Sequence, residues 1–446
     1  MNAKFPYEPF KTHGGADVPH IKRAKSKNFT SIFTPQKVIL PMLQHIGTPC
    51  KPCVNKGYKV KIGDVVGEAT SYISSPIHAS ISGEVTSIID IDLPNNPKIQ
   101  AVVIESDGKM KVRNNLKVPS INETKDLINA IQQSGLVGLG GAGFPTHVKI
   151  DIPKNKNVET LIINIAECEP YITVDYEEVL LNADSLFSGI QTLKKALNID
   201  RVIIAIEDNK PKAIRKLEKM CSKKQFNPDN DIWVLKLKSK YPGGAEKILV
   251  KACIGKEIPD GKLPIDVGCI IMNIATITFL SKYLKTGIPL VSRRVTIDGS
   301  AIKNPQNILV PLGTPICDVI EFCGGYKDDP QKILMGGPMM GFALVDDTLP
   351  ILKQNNAILA FNKEDSILPK STSCIRCGRC IENCPMKLMP ILLEKATERQ
   401  DIKSLKKLNI MTCMECGCCA YNCPASRQLV QSIRLGKSLL KDFEKR

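Results

Sequence analysis

The chain has 446 residues with a formal net charge of +16; 43% are hydrophobic, 24% are charged and 17 are cysteines. This length suits about three or four globular domains with ordinary cores. Only 5% of the residues are aromatic and no basic run is interleaved with aromatic residues, so we expect no nucleic-acid partner. The excess positive charge favours an acidic partner protein or an anionic membrane surface.

The absence of two sequence features predicts the cellular location. No apolar leader follows Met1, and no stretch approaches the roughly 18 uncharged apolar residues of a membrane helix. The nearest stretch, 268–280, is broken by asparagine and threonine. With many cysteines in a chain without a leader, we expect a reducing, cytoplasmic environment and no transmembrane segment.

Residues 37–104 consist of short β segments punctuated by glycine. They include Tyr58-Lys-Val-Lys-Ile-Gly63-Asp64-Val-Val-Gly67-Glu68 and Ser75-Pro76-Ile-His78-Ala-Ser-Ile-Ser-Gly83-Glu-Val85. These units resemble the barrel-sandwich hybrid of biotinyl and lipoyl domains, in which a hairpin tip carries the lysine that is modified. The corresponding segment here, 71–75, has no lysine, so we expect an unmodified structural module within residues 1–118.

A C-x-x-C pair, Cys50 and Cys53, lies just ahead of this module. No βαβ pattern surrounds it and no second pair lies nearby. Structural packing is therefore the stronger interpretation, and a redox or metal role stays open.

The periodicity changes near residue 122. Thr124 is expected to cap a helix that Gly135 ends, and strand-like and helical runs then alternate. The strand-like runs are 160–166, 202–206, 232–237 and 269–274, and the helical ones are 176–197, 210–223 and 244–254. This alternation predicts an α/β domain with a largely parallel sheet over 119–290.

Residues 291–347 show two strands, a helix and a further strand, which predicts a small β-grasp module. The proline-containing stretch 348–369 is expected to be a linker. It leads into a C-terminal domain, 370–446, so the fold class predicted for the whole chain is multidomain α/β.

The C-terminal domain contains the cysteine motif C-x2-C-x2-C-x3-C-P twice. This is the pattern of two-cluster ferredoxins, in which the fourth cysteine of each motif ligates the other [4Fe-4S] cluster. Zinc sites use two pairs of ligands instead. We therefore expect cluster 1 on Cys374, Cys377, Cys380 and Cys423, and cluster 2 on Cys413, Cys416, Cys419 and Cys384. Cys418 is spare and is interpreted as a packed side chain.

A glycine-rich loop follows the first helix, with glycines at Gly138, Gly140, Gly141 and Gly143 and a lysine at Lys149. An ordinary dinucleotide fingerprint follows a strand and opens a helix, whereas here a helix precedes the loop and Pro145 interrupts the segment after it. Four glycines nevertheless let main-chain N–H groups approach an anion, and a lysine adds positive charge. The loop is thus predicted to bind phosphate.

Polar residues also close the first strand of the α/β domain, at Asn164, Glu167 and Glu169. The carboxyl ends of parallel strands are where such sheets bind ligands. These carboxylates are either ligand contacts or a solvated strand end, and the position alone does not decide between the two.

The segments Gly140-Gly-Ala-Gly-Phe-Pro-Thr-His-Val-Lys149 and Asn164-Ile-Ala-Glu-Cys-Glu-Pro-Tyr171 together resemble the flavin and NADH pocket of the complex I flavoprotein subunit. Over essentially its whole length the chain is similar to the C-subunit family of the Rnf (Rsx) ion-translocating electron transport complexes. The chain departs from the complex I pattern at two positions. Ala166 replaces an aspartate, and Leu139 lies where relatives of complex I have an arginine.

This resemblance implies that Gly138, Gly140, Gly141, Gly143 and Lys149 hold non-covalent FMN and the dinucleotide. It implies that Asn164, Glu167 and Glu169 line the isoalloxazine and nicotinamide side, with Glu167 orienting the substrate at the catalytic centre. The remaining implied cofactor residues are Tyr241, Gly244, Glu246, Asn273 and Thr276.

The implied function is hydride exchange between NAD(H) and FMN, followed by electron relay through two [4Fe-4S] clusters. The implied partners are the membrane and peripheral subunits of an Rnf complex on the cytoplasmic side of the membrane, and ferredoxin indirectly through that complex. Two alternatives stay open from the sequence: a related cobalamin reductase and a non-catalytic electron-transfer adaptor.

Overall fold

The computed structural model describes residues 12–26, 31–94 and 96–445. At its amino end lie a 3-10 turn, Arg23–Ser26, and a two-residue strand, β1 (Ser31–Ile32). Strand β1 pairs in parallel with a strand near residue 308. The amino-terminal segment therefore packs against a later part of the chain.

Seven strands then form two small antiparallel sheets. In chain order they are β2 (Lys37–Pro41), β3 (Lys51–Pro52), β4 (Lys59–Val60), β5 (Val65–Glu68), β6 (Ile77–His78), β7 (Gly83–Leu93) and β8 (Asn96–Ser106). The sheet orders are β2-β8-β7-β4 and β3-β5-β6. Alternating side chains such as Val38, Leu40 and Ile104 are fully buried between them, as expected for half-buried strands. The predicted barrel-sandwich hybrid is confirmed.

The next part is an α/β unit whose four parallel strands have the order β11-β10-β9-β12. The register aligns Asn273, at the end of β12, with Asn164 near the end of β9. The predicted parallel sheet is confirmed, and two of the predicted site residues lie side by side at its carboxyl edge. Its elements are α1 (Thr124–Gln133), α2 (Thr146–Ile150), β9 (Thr160–Ile165), α3 (Val174–Leu197), β10 (Arg201–Glu207), α4 (Pro211–Cys221), β11 (Ile232–Leu237), α5 (Glu246–Ile254), the 3-10 turn Pro264–Val267, β12 (Cys269–Asn273) and α6 (Ile274–Thr286).

Two local predictions in this unit were wrong. The N-cap of α1 is Glu123 rather than Thr124, because the Asp126 carboxylate accepts from the Glu123 N–H over 3.1 Å, while the Thr124 hydroxyl donates to the Ala196 carbonyl over 2.6 Å. Pro145 does not stop a helix after the glycine loop. It sits at the N-cap of α2, where its lack of an N–H costs no helical hydrogen bond.

A six-stranded mixed sheet follows, with the order β1-β14-β13-β17-β15-β16. Its elements are β13 (Ser292–Asp298), β14 (Gln306–Pro311), α7 (Ile316–Phe322), β15 (Lys332–Met335), β16 (Phe342–Leu344) and β17 (Ala357–Phe361). The β-grasp prediction is confirmed. The expected linker, however, contains β17, which is buried throughout between β13 and β15; its five apolar residues complete the core of this sheet.

The C-terminal part is helical. It contains the 3-10 turn Glu364–Ser366, α8 (Arg379–Glu382), α9 (Pro390–Glu398), α10 (Ile402–Lys407), the 3-10 turn Ile410–Thr412, α11 (Cys418–Tyr421) and α12 (Leu429–Lys445). Its core includes Leu393, Leu405 and Ile433. The short helices α8 and α11 begin at equivalent places in the two cysteine motifs, each after a glycine with positive φ, Gly378 or Gly417.

Throughout the chain that the structure describes, each helix is either too short or too polar to span a bilayer.

Candidate functional site

The glycine loop lies over the carboxyl edge of the parallel sheet. The Leu139 N–H donates to the Thr276 hydroxyl over 3.0 Å. A Cβ on Gly140 would lie 3.1 Å from the Asn273 side chain. The structure therefore brings the loop together with both residues predicted from the start of α6, and no larger side chain fits at Gly140 without displacing Asn273.

Gly141 lies at the exposed crest of this loop. Its φ is +116°, and a Cβ there would meet no atom within 4 Å. The conformation is one that glycine adopts readily and other residues rarely do. Gly141 thus leaves its main chain beside open space, as the predicted phosphate site requires.

Two further polar contacts lie beside the loop, in the region called the cleft below. Lys149, on α2, forms an ion pair with Glu246 at the start of α5, with 2.5 Å between Nζ and Oε1. The Asn164 amide donates to the Gly244 carbonyl over 2.9 Å, and a Cβ on Gly244 would lie 2.5 Å from the Ala166 oxygen. Four predicted residues therefore lie together, and Gly244 is needed for the close approach of two main-chain segments.

Glu167 lies beneath the loop rather than in the open cleft, with an exposed fraction of 6%. Its Oε1 accepts from the Asp175 N–H over 2.7 Å, in the first turn of α3, and its Oε2 is buried without a hydrogen-bond partner. The Asp175 carboxylate in turn accepts from the Asn273 amide over 2.7 Å. A chain of polar contacts thus runs from Glu167 through Asp175 to the residue that touches Gly140.

Burial determines the protonation of these acids. It raises the pKa of Glu167, and it raises the pKa of Asp175 to about 7, with the nearby Glu167 carboxyl acting in the same direction. Two buried carboxyls close to one another hold a proton more tightly than isolated ones. The pair under the loop therefore keeps its protons to higher pH than isolated carboxyls do.

Lys22 closes the strand end from the other side. Its buried ammonium donates to the main-chain oxygens of Glu167, Glu169 and Ile172, at 3.2, 2.8 and 2.5 Å. These bonds satisfy carbonyls that the sheet leaves unpaired. The amino-terminal segment thereby fixes the turn that presents Glu169.

The Glu169 carboxylate reaches the β-grasp unit. Its two oxygens accept from the Met339 and Met340 N–H groups, each over 3.0 Å, and a Cβ on Gly337 would collide with it. Burial raises the pKa of Glu169 to about 7, against the lowering effect of the two N–H donors. Glu169 thus joins the segment after β9 to the loop that contains Met339.

Tyr241 was expected to line the cofactor pocket, but the structure places it at the boundary with the cysteine motifs. It is 2% exposed, packs with Cys416 and Cys418, and donates from its hydroxyl to the Cys416 carbonyl over 2.7 Å. The Cys418 thiol is fully buried beside it, in agreement with a packing role.

The second cysteine motif forms one cavity with the last cysteine of the first motif. Cys384, Cys413, Cys416 and Cys419 all line it. Burial raises the pKa of Cys419, and the neighbouring Cys413, Cys416 and Cys384 add to the effect. This is the set expected for cluster 2, a soft thiolate cage that suits iron–sulfur chemistry.

Three cysteines of the other predicted set are also neighbours. Burial raises the pKa of Cys380, and Cys423 and Cys374 act in the same direction, while Cys377 is exposed. Among the described residues, no three Cys, His, Asp or Glu side chains converge tightly enough for a single metal ion. A cubane cluster spreads its four sulfur ligands over a wider frame, so the crossed assignment stays a prediction that this grouping supports.

The C-x-x-C pair lies apart from these motifs. The Cys50 thiol donates to the Ser75 carbonyl over 3.2 Å and the Cys53 thiol to the Val65 carbonyl over 3.4 Å. Burial raises the pKa of both thiols, which keeps them protonated and weakly nucleophilic.

Four family models match successive parts of the chain. They are the RnfC barrel sandwich hybrid domain at residues 10–109, the Nuo51 FMN-binding domain at 131–282, the SLBB domain at 294–343 and the 4Fe-4S dicluster domain at 373–426.

Similarity to curated proteins extends over almost the whole chain. The C subunit of the proton-translocating ferredoxin:NAD(+) oxidoreductase complex of Clostridium ljungdahlii is 46% identical over 411 residues, covering 91% of this chain and 88% of that protein. The C subunit of the Na(+)-translocating complex of Acetobacterium woodii is 41% identical over 406 residues, covering 90% of each. The chain belongs to the C-subunit family of the Rnf complexes. The family predicted from the sequence is confirmed, as are FMN and [4Fe-4S] clusters as its cofactors.

Solved structures agree in fold. The NAD+-reducing [NiFe]-hydrogenase in its H2-reduced state aligns with a TM-score of 0.51 at 17% identity, over 71% of this chain and 63% of that one. This chain therefore spans just under two thirds of the hydrogenase chain, and the likeness concerns the fold alone.

Three residues that build the site were not predicted from the sequence. Asp175 follows the predicted site strand by ten residues, and its acidic side chain in the first turn of α3 was a usable signal. Lys22 and Arg293 carried no local signal. The buried Arg293 guanidinium donates to the Leu139 carbonyl over 3.2 Å, and only the packing of the β-grasp unit against the glycine loop brings these residues together.

Proposed function

We propose that this protein is the peripheral, cytoplasmic-side subunit of an Rnf-type ferredoxin:NAD+ oxidoreductase, in which it exchanges electrons with NAD(H) and relays them toward the other subunits. Bound FMN supplies the step between a two-electron hydride donor and one-electron [4Fe-4S] clusters. The observation that carries the proposal is the junction at Tyr241, where the unit with the glycine loop touches the four-cysteine cavity.

The glycine loop and Lys149 are assigned to phosphate binding. Gly141 leaves its main chain open, and the Lys149 ammonium lies at the same cleft in an ion pair with Glu246. An arriving phosphate competes for that ammonium, so Glu246 holds Lys149 in place until the ligand binds.

Asn164, Glu167 and Asn273 are assigned to the flavin side of the cleft. The orphaned Oε2 of Glu167 is the unsatisfied acceptor that a bound group or its proton would complete. Because Glu167 is buried, we assign it a positioning role under the loop, through Asp175 and Asn273, rather than direct proton transfer.

A continuous protein path leads from this cleft to the second cysteine motif. Glu169 binds the Met339 N–H, and the Met339 oxygen lies 3.2 Å from where a Cβ of Gly417 would be. Tyr241 makes a second bridge to Cys416. These contacts would hold cluster 2, bound by Cys384, Cys413, Cys416 and Cys419, on the side of the flavin-binding unit.

Anaerobic titration of the purified protein with NADH tests the proposal. We expect the flavin absorbance to bleach first and the broad cluster absorbance to follow. A flavin that stays oxidised at saturating NADH, in protein with full flavin and iron content, would contradict it and favour a non-catalytic adaptor. Added cobalamin as acceptor tests the reductase alternative in the same cuvette.

A further inference from the structure

The hairpin tip at residues 71–75 of the barrel-sandwich unit lies against the glycine-loop region. The Ile46 N–H, in the neighbouring turn, donates to the Gly143 carbonyl over 3.1 Å. The His147 ring, on α2, bonds through Nε2 to the Tyr72 carbonyl over 2.9 Å. The segment that would carry a prosthetic lysine in lipoyl domains is therefore docked beside the proposed phosphate site.

Hydrogen bonds with the neighbouring segment hold the tip in one conformation. The buried His45 accepts from the Ser75 N–H over 3.0 Å through Nε2, and burial lowers the pKa of His45 to about 4, so its ring is neutral and able to accept. The Ser74 hydroxyl donates to the Thr48 carbonyl over 3.0 Å, and the Thr48 N–H donates to the Ile73 carbonyl over 2.9 Å. A surface so fixed loses little entropy on binding.

Tyr72 is further fixed at its ring. The hydroxyl donates to the Asp151 carboxylate just after α2. The ring meets the His147 ring edge to face, with centroids 5.5 Å apart and planes at 89°. The position of this aromatic ring is thus tied to the helix that carries Lys149.

Three large apolar side chains are nevertheless exposed at this tip and the neighbouring turn. Ile46 is 53%, Tyr72 51% and Ile73 42% exposed. A rigid apolar rim beside an anion-binding loop matches the chemistry of a dinucleotide, in which a flat base lies a few atoms from the phosphates. An aromatic side chain stacks on any such base.

We infer that the Tyr72 and Ile73 tip forms the adenine-binding wall of the NAD(H) site, so that the barrel-sandwich unit takes part in substrate recognition. The inference rests on the proposed function, because it needs a dinucleotide at the glycine loop. It assigns the adenine end to the barrel-sandwich unit, and the nicotinamide end stays with the parallel sheet.

The test compares NADH with reduced nicotinamide mononucleotide, which lacks the adenosine monophosphate half. In flavin- and cluster-loaded Tyr72→Ala we expect roughly 5- to 150-fold weaker NADH affinity, the range of one lost base stack, and unchanged reduction by the mononucleotide. Tyr72→Phe keeps the ring and should keep NADH affinity. Tyr58→Ala, at an equally exposed tyrosine elsewhere in the same unit, serves as the matched control and should not differ from wild type.

Each other result overturns the inference. Equal losses for both reductants place Tyr72 at the nicotinamide or flavin end, an unchanged NADH affinity removes it from the site, and a loss in Tyr72→Phe assigns the effect to the Asp151 hydrogen bond. If Tyr72→Ala fails to hold flavin, Ile73→Ser decides by the same comparison. If NADH does not reduce the wild-type protein, the proposed function itself is wrong. This result is obtained before any variant is compared.

Discussion

The Tyr241 hydroxyl donates a hydrogen bond to the Cys416 carbonyl over 2.7 Å, so a side chain of the flavin-binding unit reaches a main-chain oxygen inside the second cysteine motif. The same tyrosine exchanges main-chain hydrogen bonds with Ala16, at 2.8 and 3.2 Å. Three distant parts of the sequence are therefore held together at one buried point.

Tyr241→Phe should weaken this junction without emptying either cofactor site. The change keeps the packed ring but leaves the buried Cys416 carbonyl without its donor, which costs about 1 to 3 kcal/mol. We expect a lower thermal midpoint and slower reduction of cluster 2 after the flavin is reduced, measured by stopped-flow absorbance. Tyr58→Phe, at an exposed tyrosine, is the control; an unchanged midpoint in Tyr241→Phe would show that the hydrogen bond contributes nothing.

Replacing the fourth cysteine of each motif tests the crossed cluster assignment. Cys384→Ser should remove cluster 2 and Cys423→Ser cluster 1, because Cys384 lines the cavity of the second motif and Cys423 neighbours Cys380. EPR of the reduced variants identifies the surviving cluster, and iron analysis should give half the wild-type content. Cys418→Ala should keep both clusters. Each serine variant losing the cluster of its own motif would refute the crossing.

Gly141→Val should abolish FMN binding and leave both clusters. The side chain would project into the open space above the loop, at a φ of +116° that valine rarely adopts. Flavin content by fluorescence and iron content by colorimetry separate the two effects. Gly57→Val is the matched control, since Gly57 also has positive φ and open space around it. Full flavin content in Gly141→Val would show that the phosphate site lies elsewhere.

The elements predicted correctly are those with strong local patterns. The run Thr160–Ile165 has an apolar or β-branched residue at every position except Asn164 and forms a buried strand. The cysteine spacing likewise predicts the short turns and helices of the two motifs, because local turns set the spacing of cluster ligands. Both signals need only neighbouring residues.

The contacts that assemble the site depend on distant pairs and gave no such signal. Lys353 is fully buried and donates to the Pro76 and Gly135 carbonyls at 2.6 and 2.7 Å, although a lysine in a polar stretch predicts an exposed linker. Tyr241 was placed in the flavin pocket by motif alone, yet its side chain turns toward Cys416. Tertiary packing decided both cases.

The pH dependence of stability should carry a contribution from Glu169. Burial raises the pKa of this carboxyl from 4.5 to about 7, so the folded protein keeps its proton at pH values where the unfolded chain has lost it. The stabilisation is therefore fully present below about pH 4.5 and is lost as the pH rises to about 7, by at most about 3 kcal/mol. Thermal midpoints measured from pH 5 to 8 should fall, and Glu169→Gln, which cannot ionise, should flatten that fall. The exposed Glu84→Gln variant should keep the wild-type slope; an equally steep fall in Glu169→Gln would assign the titration to other groups, the Glu167 and Asp175 pair first among them.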